Sequence, residues 1–191
     1  MSMLIFQTIL RFKEKIEITM KKLIGKQQKL LLATKLIDVT GGSFGGILDK
    51  SQEEQDAYAK RAYEEIRHKN EDSDVKKIAV NTGLSEADIL KVRMHLFFNK
   101  HTIGNEIKRF DESPDIALAW EALEQGRGTE LDVMLVKHEL EELTIIENQG
   151  YDYIKAHLLA NKKYPWEYKK QGGWTDDSIK NDIEDRLKEI L

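Results

Sequence analysis

The stretch ELDVMLVKHELEELTIIENQG, Glu130–Gly150, and its continuation YDYIKAHLLANKK, Tyr151–Lys163, decide the fold. The first reads as one helix over about Glu130–Gln149, because Gly150 is the residue type that ends helices. The second reads as a return helix over about Tyr151–Lys163, ended by Pro165, which cannot continue a helix. Together they predict a central helical hairpin.

Working outward, the same signals recur. Ser51 with Glu54 three residues on is a capping-box pattern, so a helix runs to about His68. Two short helices, roughly 74–81 and 85–98, meet at Thr82-Gly83-Leu84. Ser113-Pro114 opens another, since Ser caps well and Pro suits the first helical position. A last helix starts near Thr175, with Ile179, Ile183, Leu187 and Ile190 on one face. The chain of 191 residues holds only 2 Pro, and alternating β-branched runs are scarce. The expected fold is therefore all-α, or mainly α: a multi-helix domain with a long N-terminal helix and the central hairpin.

That N-terminal helix is expected over 3–37, where Ile9, Ile16, Leu23, Leu30 and Ile37 recur every seventh residue. Thr19 and Lys26 interrupt the companion positions. The stripe suits a helix lying on the protein's own core, or one pairing with a second copy or a helical partner. Residues 40–50 read as a Gly-rich linker, since four glycines in Thr40–Gly46 cannot sit cheaply in a helix. Their likeness to a phosphate-cradling loop is superficial, as no Lys-Ser/Thr ending follows. The division expected is 1–39 helix, 40–50 linker and 51–191 functional domain.

Composition narrows the function. Hydrophobic residues are 40% and charged residues 34%, which fits a globular chain. The net charge of −4 gives no bulk attraction to nucleic acid. The absence of Cys excludes disulfides and thiolate metal sites. Charged residues follow the apolar stretch Met3–Leu10 instead of preceding it, and no run approaches a membrane span. A soluble cytoplasmic protein is expected, with no membrane partner.

The chemistry concentrates on the hairpin. His138 and Glu142 lie four residues apart and share a helix face, with Glu139 rotated to one side. This is the H-E-x-x-H metal helix with Glu in the place of the second His. Glu142 lies eight residues before Gly150 and His157 seven after it, so in an antiparallel hairpin the two are level to about 2 Å. His138, Glu142 and His157 are therefore expected to hold one divalent ion, zinc first, with Glu139 as general base for a bound water. A metal-free version divides acid and base work between His138 and His157, as in a ribonuclease, with nearby acids raising both imidazoles towards neutrality. A His followed by three acids also suits an exposed acidic face.

Other residues are weaker candidates. His95 lies near a buried stripe and reads as a core histidine. His101 falls in a loop, where function concentrates. Arg109 in Lys108-Arg109-Phe110-Asp111 can stabilise a developing anion, or simply contact Asp111. The 74–96 helix pair fits helix-turn-helix spacing, with Ala79, Gly83, Ile89 and Val92 in the packing positions. Its outer face carries Glu86 and Asp88, which phosphate would repel, so a structural pair is expected. The tail Asn161–Lys170, with Trp174 beyond, interleaves lysines with aromatics. It suits either rings packed on the domain or a track for single-stranded nucleic acid.

From about Asp56, the order Thr82-Gly83-Leu84-Ser85, His95-x5-His101, Arg109-Phe110-Asp111, Ala119-Trp120, Lys137-His138-Glu139, Ala156-His157 and Tyr164 resembles a known group. These are the uncharacterised toxin-like domains at the C-termini of phage minor head proteins and bacterial polymorphic toxins. The resemblance covers about two-thirds of the chain and implies an effector-like catalytic domain. His95, His101, Arg109, His138, Glu139 and His157 would then be its site candidates. No head-protein or secretion module precedes the domain here, so a free-standing relative is the other expectation. The leading expectation is a helical hydrolase of this kind. The competing ones are the metal-free acid–base enzyme and a non-enzymatic assembly protein.

Overall fold

A computed structural model of the chain describes residues 45–103 and 106–190. The expected helix over 3–37 and the first part of the Gly-rich linker lie outside the described residues. The last linker residues are not free chain, since Gly45–Leu48 form one helical turn, α1.

The described chain is mainly α. Helix α2 spans Gln52–His68, and Ser51 and Glu54 form the full capping box. Helix α3 spans Glu71–Thr82 and α4 spans Glu86–Phe97, the latter capped by Ser85. Between them Gly83 takes φ of +74°, a left-handed conformation that side chains resist. A small antiparallel hairpin follows, β1 His101–Ile103 with β2 Glu106–Lys108. His101 therefore opens a strand instead of lying in a loop. Helix α5, Pro114–Glu124, starts on the Ser113 cap with Pro114 in its first turn.

The hairpin that decides the fold comes next. Helix α6 spans Glu130–Gln149 and is ended by Gly150 at φ of +65°. Helix α7 spans Tyr153–Lys163, capped by Asp152. A short helix α8, Trp166–Gln171, and a final helix α9, Asp176–Glu189, complete the chain.

The main core joins α2 to α6 through Tyr63, Ile66, Ile78, Ile89, Phe97, Trp120 and Val136. A second cluster packs Leu158 and Tyr168 on Ile179, Ile183 and Leu187 of α9. Ile190, expected on the same face, is 42% exposed. Between α6 and α7 the contact residues are Ile145, Ala156 and Ala160. Two alanines at the crossing let the backbones approach closely. They flank His157 along α7, so the small residues bring it up to α6. The pair α3–α4, with helix-turn-helix spacing, is packed as expected, with Ala79, Ile89 and Val92 buried. Among the described residues no helix is long and apolar enough to cross a membrane.

Candidate metal centre

The helical spacing and the hairpin register bring three side chains together. His138 and Glu142 are fully buried on α6, and His157 on α7 is 16% exposed along its side chain. The expected exposed acidic face is not what these residues form. His157 Nδ1 donates to Glu142 Oε2 at 2.8 Å and lies 3.1 Å from His138 Nε2. His138 Nε2 is 3.9 Å from the same carboxylate oxygen.

Outer partners fix both rings. His138 Nδ1 lies 2.9 Å from the Tyr164 carbonyl, which can only accept, so Nδ1 carries the proton. Nε2 of a neutral His138 is then a bare lone pair aimed at His157. His157 Nε2 donates to Glu167 Oε2 at 3.2 Å. With both nitrogens donating, His157 is a cation.

Electrostatics agree with this assignment. Burial alone would strip the His157 proton, but hydrogen bonds to Glu142 and Glu167 outweigh it and lift its pKa to about 10. His138 moves the other way: burial, then the His157 charge, hold it below the ordinary imidazole range. The sequence-level expectation that acids raise both imidazoles thus holds for His157 alone. Burial would also raise Glu142, yet hydrogen bonds from His157 and His95 bring it down to about 2. Burial, and then the Glu142 charge, push the Glu139 carboxyl well above the carboxylate range.

His95 reaches the cluster from α4. It is 1% exposed, and its Nε2 donates to Glu142 Oε1 at 2.9 Å while lying 3.4 Å from Glu139 Oε2. It is buried, as a core histidine should be, but its partners are the site carboxylates. His101 donates from Nε2 to the His95 carbonyl at 3.0 Å and stacks on Phe110, with ring centroids 4.0 Å apart. Burial lowers the His101 pKa. Phe110 contacts Tyr153 at 5.1 Å, and Tyr153 stacks on His157 at 5.6 Å. An aromatic wall thus runs from the small β-hairpin to the cluster.

Arg109 is exposed and joins none of these contacts. Its expected partner Asp111 pairs instead with Lys108, at 3.1 Å.

The basic aromatic tail is mostly consumed by the fold. Trp166 and Tyr168 are buried, and Lys163, Lys169 and Lys170 pair with Glu141, Asp176 and Asp115. Those two rings are not offered for stacking on bases. A groove of about 520 Å³ between α7 and α9 is lined by Asn161, Lys162, Lys180 and Glu184, and by none of the His/Glu cluster. Donor chemistry, not concavity, marks the centre.

Sequence reasoning passed over Glu167, Tyr153, Phe110 and the Tyr164 carbonyl. Glu167 sits in the first turn of α8, a helix too short to carry a periodic signal. Comparison with known proteins finds no matching family, no matching curated protein and no matching solved structure.

Proposed function

We propose that the chain is a metal-dependent hydrolase in which His138, Glu142 and His157 hold a divalent ion and Glu139 handles the proton of an attacking water. One observation carries the reading. The lone pair of His138 Nε2, Glu142 Oε2 and His157 Nδ1 converge on a single proton, the one on His157 Nδ1. A divalent cation is the other species that satisfies two imidazole nitrogens and a carboxylate oxygen at one point. Each imidazole also donates its remaining N–H outward, to a backbone carbonyl and to a carboxylate. That outer arrangement is the habit of metal-bound histidine.

The donor set of two nitrogens and one oxygen suits zinc or another first-row divalent ion. A bound ion would supply polarisation of a water. The water oxygen bonds to the electrophilic carbon or phosphorus while the bond to the leaving group breaks. The water proton passes to Glu139 and then to the leaving group. Burial, and then the Glu142 charge, hold the Glu139 carboxyl well above the carboxylate range, and a cation bound nearby would offset both and bring it towards a working base.

The metal-free acid–base reading uses the same two histidines. Their active nitrogens point at each other, 3.1 Å apart, leaving no space for a substrate between them. An ion fits that geometry and a scissile bond does not. The effector setting implied by the resemblance rests on that resemblance alone and adds no residue to the site.

Elemental analysis and turnover of ester, peptide and phosphodiester reporters test the proposal. The wild type takes up ion and its turnover stops with a chelator. His138→Ala takes up no ion at this site, while Glu139→Gln retains it and loses turnover. Turnover that ignores chelator but vanishes in His138→Ala hands the site to the metal-free mechanism. Failure of the wild type to bind any divalent ion ends the metal reading.

A further inference from the structure

Glu142 faces two ways. Its Oε2 belongs to the His138–His157 group, but its Oε1 accepts from His95 Nε2 at 2.9 Å. Beside that nitrogen, at 3.4 Å, lies Oε2 of Glu139. His95, Glu139 and Glu142 thus form a second trio of donors, all buried, whose ligand atoms lie within 4.8 Å of one another.

Glu139 is the residue this fold leaves unexplained. It is 7% exposed, and among the described residues its only polar contact is the 3.4 Å approach of His95, which bonds the nearer Glu142 instead. A buried carboxyl without a hydrogen-bond donor is costly, and another carboxylate one helical turn away adds to the cost. His95 is equally one-sided. Its Nδ1 is buried without a partner, so hydrogen bonding holds the ring from the Nε2 side alone. Were His95 present only to brace Glu142, Glu139 would still lack a counterpart.

We infer that His95 Nε2, Glu139 Oε2 and Glu142 Oε1 form a second cation site, joined to the first by Glu142 as a bridging carboxylate. This rests on the proposed first site and deepens it. One carboxylate with an oxygen on each ion sets a separation of ~3.5–4 Å, the spacing of two-metal hydrolytic centres. The second donor set has one nitrogen and two oxygens, which suits the same class of first-row divalent ion. Charge favours ordered loading. The first cation offsets the two buried carboxylates, and the second then binds more weakly. Glu139 gives one oxygen to the ion and keeps the other for the water proton, so its role in hydrolysis stands.

Manganese tests this on the full chain. Protein stripped with chelator is loaded with Mn2+, desalted, counted by elemental analysis and examined by electron paramagnetic resonance. The expected result is two ions per chain with an exchange-coupled spectrum, because a shared carboxylate couples the two spins. Glu139→Gln and His95→Asn each fall to one ion with an uncoupled six-line signal. A wild type that binds one ion, unchanged in both variants and lost in His138→Ala, overturns the second site and leaves the first intact. Two ions without coupling place the second ion elsewhere and also overturn it. No bound manganese overturns the paired site, and the first site is then decided separately by zinc uptake in the wild type and its loss in His138→Ala. The wild-type count and spectrum decide the question even where a variant fails to fold.

Discussion

Helix α4 carries two buried polar side chains, Arg93 and His95, which meet opposite surroundings. Two residues apart on a helix, they point to different sides. Arg93 donates from Nε to Asp74 Oδ2 at 3.0 Å and from Nη2 to the carbonyls of Ile66 and Lys69. Trp120 Nε1 donates to the same Asp74 oxygen, and the Val75 amide donates to the other. Neither Asp74 nor Arg93 keeps a buried polar atom without a partner. That network is closed: one cation, one anion, donors matched to acceptors across four helices. The network around His95 is open: of its two carboxyl groups Glu142 is bonded and Glu139 lacks a hydrogen-bond donor, and one ring nitrogen has no partner. The closed network holds the fold, whereas the open one is where the proposed ions would bind. The difference lies in donor arithmetic, not in burial, which is near complete in both.

The largest expected effect breaks the closed network. Replacing one partner of a buried pair leaves the other charge uncompensated, which costs about 3–5 kcal/mol. Arg93→Met should therefore lower the unfolding free energy of the metal-free protein, read from urea denaturation, by that amount. At concentrations where the variant stays folded, its ion count should match the wild type. Loss of ions from a folded Arg93→Met would mean that the two networks are one.

The open network should announce itself through pH. In the metal-free folded chain His157 keeps its proton to about 10, against an ordinary 6.5. Its contribution is complete below 6.5 and is lost as pH climbs through about 10, since the folded state then holds a proton the unfolded chain has released. Glu139, held above the carboxylate range by burial, has the same sign, and its contribution begins to be lost as pH rises past 4.5. Glu142 has the opposite sign: its contribution is complete above 4.5 and is lost as pH falls towards about 2. His138, already neutral above 6.5 in both states, adds nothing on the alkaline side. Stability of the chelated protein should therefore fall, on the order of a few kcal/mol, between pH 6.5 and 10. Saturating ion displaces the Nδ1 proton of His157 and should flatten that slope. A chelated protein equally stable at both ends of the window would remove His157 as the protonated hub.

How much of this was legible follows from the range of each signal. Caps and breaks act within four residues, so Ser51, Ser113-Pro114, Gly150 and Thr175 mark their helix ends. The meeting of His138, Glu142 and His157 was legible for the same reason, because a four-residue spacing and a hairpin hinged at Gly150 suffice. That they hold an ion remains a proposal. His95 was not legible as a partner of Glu142, since the two are 47 residues apart and meet only when α4 packs on α6. The side taken by Glu139 depends on the same packing. The β-hairpin was missed because strands of three residues carry no periodicity. Glu167 was hidden in a stretch whose lysines and aromatics drew the reading towards a tail.

The smallest effect sharpens the comparison from the rim. Glu167 touches no other site residue than His157, at 3.2 Å, and its side chain is 52% exposed. An exposed pair contributes only about 0–1 kcal/mol to folding, so Glu167→Gln should scarcely move the urea midpoint. Its proposed job is to hold the Nε2 proton of His157 and make Nδ1 a better donor to the ion. Losing such an outer partner weakens metal binding by about 10–100-fold. Gln keeps an oxygen that can still accept, so the lower end of that range is expected. The control is Glu141→Gln, which removes the same charge from a nearby carboxylate paired with the exposed Lys163 at 2.7 Å. Competition with a chelating indicator should show weaker binding for Glu167→Gln and unchanged binding for Glu141→Gln. Equal weakening in the two would trace the effect to overall charge, and Glu167 would lose its place in the centre.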